Sequence, residues 1–242
     1  MIRPSLLRHL SLFPLILITL LAGIGLLMLY SAANGSFHPW GVKQSWRFGI
    51  GSILMLGVAI TDSRHWFSCA YTLYGVALIL LIAVESLGFV GMGAQRWIDL
   101  YAFNLQPSEL MRVGLVLALA RYFHGCSLED VIHLRTLIIP ALMILIPTLL
   151  VMRQPDLGTA LLLILSGAAL FFVAGVRIWK FAVVGIAALS SIPLFWSLLH
   201  TYQQQRILTF LNPESDPMKS GYHVTQSKIA LGSGSILGKG FL

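Results

Sequence analysis

The sequence predicts an all-α protein that crosses a membrane several times. The chain is 57% hydrophobic and only 10% charged, its mean hydropathy is +0.84, and its apolar residues fall in long runs. Soluble domains carry about 25% charged residues. A soluble chain this apolar would expose large sticky patches, so a bilayer is the solvent that fits. The unit to count is therefore the span of about 20 apolar residues.

Seven apolar runs follow in order. The first is Leu12 to Ala33, behind Arg3 and Arg8. It lacks the small-residue cleavage site of a signal peptide, so it is expected to stay as a span. The second is Phe48 to Ile60 and the third Cys69 to Val90. Ser108 to Tyr122, Leu137 to Met152, Gly158 to Val176 and Trp179 to Leu199 complete the set. The second and fourth are short, and flanking Trp46, Arg47 and Tyr122 would complete them at the interface. Two regions result: a seven-helix membrane region over 1–199 and a more polar loop over 200–242. Asn212 to Pro217 reads as a turn-rich stretch of that loop.

Lys and Arg in short loops set orientation. A cytoplasmic N-terminus leaves Arg3, Arg8, Arg64, Arg121, Arg135, Arg177 and Lys180 inside. Lys43, Arg47, Arg96 and Arg153 then lie outside, against the rule, and are candidates for function. The net charge of +7 is scattered, with no basic cluster interleaved with aromatics. Nucleic acid is therefore not an expected partner. Anionic lipid headgroups and an anionic lipid substrate are.

Three stretches carry chemistry. In Gln106-Pro107-Ser108-Glu109, Pro107 suits the first helical position, and Gln106 or Ser108 suits the cap. Glu109 falls in the first turn, where the helix dipole favours an anion. Arg112 shares its face three residues on, inside an apolar span where a charge is costly and usually faces a cavity or partner. In Arg153-Gln154-Pro155-Asp156-Leu157-Gly158-Thr159, Pro155 pushes Gln154 towards extended backbone and ends a helix. Asp156 and Thr159 can cap the next one, with Arg153 and Gln154 completing a polar knot.

The third stretch runs from Gln226-Ser227 to Gly232 through Gly240. A P-loop fails here, with Ser233 in place of the first Gly and Gly240 in place of Ser or Thr. A dinucleotide fingerprint fails too, since Leu237 replaces the last Gly. Lys239 and loop N–H groups could still meet an oxyanion. Cys69 and Cys126 form no CxxC, and none of the seven histidines pairs at ligand spacing, so no metal site is expected from either.

These motifs together, and in this order, resemble the SEDS family (shape, elongation, division and sporulation). Tyr30-Ser31-Ala32, Gln95-Arg96-Trp97-Ile98, Gln106-Pro107-Ser108-Glu109, Gln154 to Thr159, and Gly232-Ser233-Gly234 with Gly238-Lys239-Gly240 carry the likeness. The loop around Pro213 to Pro217 and Gly221-Tyr222-His223 is worded like the rod-shape branch rather than the division branch. Arg112 stands where Lys is common, and Ser235 where Gly is common. Arg keeps the charge but not the shape of Lys.

The resemblance implies about ten spans, seven of them here, and a peptidoglycan glycosyltransferase of the inner membrane. It implies polymerisation of lipid II on the outer face, beside a class B penicillin-binding protein and other elongation-complex proteins. The family's catalytic aspartate is expected beyond Leu242, so the 242 residues alone are expected to be inactive. Expected substrate-binding residues are Arg96, Glu109, Arg112, Gln154, Asp156, Gln226 and Lys239. Cations aimed at the departing pyrophosphate are the physical need, and a divalent metal such as Mg2+ could join them. A lipid-precursor flippase or transporter, or a non-catalytic scaffold, is the alternative that buried charges in spans also fit.

Overall fold

The computed structural model describes residues 11–87, 89–91, 94–99, 104–154, 156–198, 201–211, 220–234, 238 and 240. Each predicted run is a helix. They are α1 (Leu12–Ala32), α2 (Trp40–Ile60), α3 (Ser63–Leu87), α4 (Pro107–His124), α6 (Leu134–Arg153), α7 (Leu157–Val173) and α8 (Ile178–Leu198). Between α4 and α6 lies the short α5 (Leu128–Ile132). By length and composition, Leu12–Ala32, Ser63–Val84 and Leu134–Arg153 suffice to cross a membrane, while Leu157–Val173 and Ile178–Pro193 are apolar but shorter.

Four differences from the sequence expectation have physical causes. α2 starts at Trp40, not Phe48. Lys43 and Arg47 therefore ride on a helix, because polar residues at a span's end cost little where they reach the interface. α3 stops at Leu87, and Phe89–Gly91 is strand β1. It pairs antiparallel with β2 (Ala94–Asp99), which pairs with β3 (Asn104–Leu105). Phe89 faces Trp97 across the first ladder, and Asp99 faces Asn104 across the second. An aromatic-rich segment bounded by glycines favours such a sheet, and period-3.6 scanning is blind to it.

The 200–242 segment, read as loop, holds two helices, α9 (Thr201–Leu211) and α10 (Ser220–Gly234). The turn-rich 212–217 stretch lies outside the described residues. Lastly, Gln154 is not extended. Its φ of −81° and ψ of 24° continue the helical turn, and its N–H bonds back to Leu150 and Val151. Helical hydrogen bonds outweigh the pre-proline bias there.

The chain divides into two compact units. One joins residues 1–63 with 217–242, and the other spans 64–216. In the first, α1 packs on α2 and Tyr30 meets Phe37 with ring centroids 5.4 Å apart. In the second, α3, α4, α6 and α7 enclose a core of Ala77, Leu81, Met111, Leu115, Leu119, Val151, Ala160 and Leu163. Small residues let these helices approach closely, as they do in membranes. A Cβ at Gly114 would stand 3.1 Å from the Tyr74 Cα, so α4 touches the α3 backbone there. Tyr74 Oη donates to the Met143 carbonyl at 3.0 Å, tying α3 to α6. Outward faces stay apolar: Ile138, Ile139, Leu161 and Leu165 are exposed. In water that face would drive association; in lipid it needs no cover.

Candidate functional site

A group of polar residues of the 64–216 unit gathers at one end, where β2 meets the start of α4 and the α6–α7 turn sits. The local reasons are visible in the chain. α6 closes at Arg153, and α7 opens on Asp156 as its N-cap. Asp156 Oδ1 accepts from the Thr159 backbone N–H at 3.2 Å, and Oδ2 accepts from the Thr159 hydroxyl at 2.9 Å. This satisfies one orphan donor of the helix start.

Arg96 comes over from β2. Its Nε donates to the Gln154 carbonyl at 3.2 Å, and its guanidinium stands 3.7 Å from Asp156 Oδ2. Both side chains are mostly covered, 19% and 14% exposed. Gln154 is buried, and its Nε2 donates to the Leu81 carbonyl at 3.0 Å. A charged pair this covered depends on both members, since removing either strands the other.

On α4, Pro107 holds the first helical position as expected. Gln106 is the N-cap by backbone, but its side chain makes no capping bond. Arg112 pairs with Glu109 at 2.5 Å, one turn apart, with side chains 35% and 55% exposed. The Arg112 Nε is a buried donor with no partner among the described residues. A buried N–H left unpaired is costly unless a ligand or water meets it.

Five of the seven predicted residues thus share one end of one compact unit: Arg96, Glu109, Arg112, Gln154 and Asp156. Gln226 sits exposed on α10 in the other unit, and Lys239 lies outside the described residues. Sequence reasoning missed the Leu81 carbonyl as a partner, because no side chain marks it. It also took Arg121 and Lys180 for orientation signals only. Arg121 donates to the Phe67 and Ser68 carbonyls and lies 4.6 Å from the Tyr71 ring centroid. Lys180 is buried.

Among the described residues no three His, Cys, Asp or Glu side chains come together. Asp156 is already met by Arg96 and Thr159, and Glu109 by Arg112. A divalent cation such as Mg2+ needs several hard oxygens, and these two carboxylates do not form that set.

Buried polar groups at one end of an apolar helix bundle define an integral membrane protein with a polar site at a bundle end. A family model described as "Cell cycle protein" and named for FtsW, RodA and SpoVE matches residues 11–242. The chain belongs to this FtsW/RodA/SpoVE family, the SEDS proteins, and is an inner-membrane protein.

Peptidoglycan glycosyltransferase MrdB of Escherichia coli (strain K12) is 40% identical over 239 residues, covering 95% of this chain and 62% of that protein. Stage V sporulation protein E of Bacillus subtilis (strain 168) is 34% identical over 238 residues, covering 93% and 64%. A solved peptidoglycan synthase complex that coordinates polymerization and crosslinking matches with a TM-score of 0.70 at 34% identity, over 90% of this chain and 65% of that one. The crystal structure of the Thermus thermophilus rod shape determining protein RodA matches with a TM-score of 0.63 at 32% identity, over 75% and 59%. The chain spans about three fifths of the length of the MrdB it matches.

Proposed function

We propose that the full-length protein is a peptidoglycan glycosyltransferase that polymerises lipid II during cell elongation. The observation that carries this reading is the pairing of two cationic groups at one end of the bundle. Arg96 is fixed by Gln154 and Asp156, and Arg112 by Glu109. The names of the relatives support it.

In the reaction, an acceptor sugar hydroxyl gives its proton to a carboxylate acting as general base, and its oxygen forms a bond to the anomeric carbon of the donor. The bond from that carbon to the pyrophosphate breaks, and polyprenyl pyrophosphate leaves with the electron pair. Negative charge grows on the leaving group, so preorganised cations lower the barrier. Arg112, whose Nε has no partner among the described residues, faces that charge in this reading, and Arg96 shapes the site from β2. Gln154 and Asp156 hold the α6–α7 turn, while Gln226 and Lys239 serve as outer-loop contacts. The general base is assigned to neither carboxylate, since both are engaged by cations.

The reading places the N-terminus in the cytoplasm and this end of the bundle at the outer face. It takes 1–199 as the membrane region and 200–242 as the start of the large outer loop. The partner is a class B penicillin-binding protein within the elongation complex.

The test uses purified full-length protein and lipid II. Arg112→Ala and Glu109→Ala should each cut polymerisation by about 100-fold or more, the worth of one preorganised charge contact. Normal turnover in both variants removes them from the site. Movement of intact lipid II across a bilayer, without release of polyprenyl pyrophosphate, supports the transporter instead.

A further inference from the structure

The opposite end of α6 carries a second polar feature. α6 has 20 residues, so its two ends lie roughly 30 Å apart. At its start a cleft of about 590 Å³ is lined by Ile132, His133, Leu134, Arg135, Trp179 and Lys180. Two helices begin at this cleft, α6 at Leu134 and α8 at Ile178. Neither has an acidic residue in its first turn, and His133 makes no side-chain cap for α6. The free N–H groups of both starts therefore add partial positive charge to the cleft.

The side chains add full charges. Lys180 is only 8% exposed. Its Nζ donates to the Ile132 carbonyl at 2.7 Å and the Val131 carbonyl at 3.3 Å. An ammonium has three donors, so one remains. Arg135 is exposed, and neither it nor Lys180 makes an ion pair among the described residues. Of the two acids on α5, Asp130 is engaged by the Ser127 N–H and hydroxyl, and Glu129 is exposed. A buried ammonium held by carbonyls alone is an expensive arrangement, and an anion in the cleft would offset that cost.

The rim of the cleft is apolar. Leu134 is 65% exposed, Trp179 51% and Ile132 42%. A cationic floor under an apolar rim, at the end of a membrane helix, matches one chemistry: a phosphate headgroup with acyl chains beside it. Tryptophan at headgroup depth fits the same place. We infer that this cleft binds the phosphate of an anionic phospholipid, at the end of the bundle away from Arg96 and Asp156. The inference is independent of the glycosyltransferase reading, because it uses none of the same residues.

Native mass spectrometry of the purified full-length protein tests it. Phosphatidylglycerol, phosphatidylcholine and inorganic phosphate are the probes. The protein should retain phosphatidylglycerol in preference to phosphatidylcholine. Arg135→Ala should lower that retention about fivefold, the ratio one cation near a headgroup is worth, and Arg135→Lys should restore most of it. Arg135 is exposed, so the variant keeps its fold, which its thermal midpoint verifies. Equal retention of the two lipids, or no change in Arg135→Ala, overturns the proposal. Displacement of the lipid by inorganic phosphate at equal concentration overturns the lipid assignment.

Discussion

Arg96 meets two groups at once, a carbonyl that fixes its direction and a carboxylate that balances its charge. The two jobs are separable. Arg96→Lys keeps the charge but loses the planar fork, so it should retain part of the polymerisation that Arg96→Ala loses; equal activity of the two variants would show that charge without the fork contributes nothing at this position. Another carboxylate gives a pH prediction. The Ser127 hydroxyl and N–H hold the Asp130 carboxyl below its ordinary range. A lowered folded value means the contribution is present above the unfolded value and lost as pH falls through the folded one. The thermal midpoint of the protein should therefore fall on acidification, and less steeply in Asp130→Asn. Legibility differs among these residues for a physical reason. Glu109 and Arg112 are three apart, so helical spacing alone announces the pair. Gln154 reaches a backbone carbonyl 73 positions away, and a carbonyl has no letter in the sequence.

At the scale of elements, the apolar runs mark the helices well because lipid demands long uninterrupted stretches. Their ends are read less well, since charged residues such as Lys43 can extend a helix beyond the apolar run. The small sheet at 89–105 is hidden by its brevity. Helix contacts give two further predictions. Gly114→Val would push side-chain atoms into the Tyr74 backbone and should destabilise by about 1–3 kcal/mol. Gly167→Ala would drive its Cβ into Cδ1 and Cγ1 of Ile144, a β-branched side chain with little freedom to turn, and should destabilise as well. Thermal unfolding in detergent reads both losses, and no loss in Gly114→Val would contradict the close α3–α4 approach. Arg121→Ala removes two carbonyl contacts and the stacking on Tyr71, and should loosen the same helix pair by about 1 kcal/mol.

For the whole molecule, the prediction concerns direction. A cysteine at Glu129, in a background with Cys69 and Cys126 replaced by serine, should react with an impermeant maleimide only after cells are opened. Reaction in intact cells would invert the topology and place the Arg96 end in the cytoplasm. The two ends of the 64–216 unit were legible to different degrees. The Arg96 end announces itself through motifs, whereas the Lys180 end depends on a fold that brings residues 132–135 against 179–180.

The bonds that close the 64–216 unit also set a schedule for its synthesis. Tyr74 waits for the carbonyl of Met143, 69 residues later, and Leu81 waits for Gln154, 73 later. At ribosomal speeds of about 5–20 residues per second, that is a delay of roughly 4 to 14 seconds. Through that interval α3 is already made while its two polar ties to α6 are still missing. Any factor that shelters the half-built bundle must therefore hold it on a timescale of seconds, until α6 arrives.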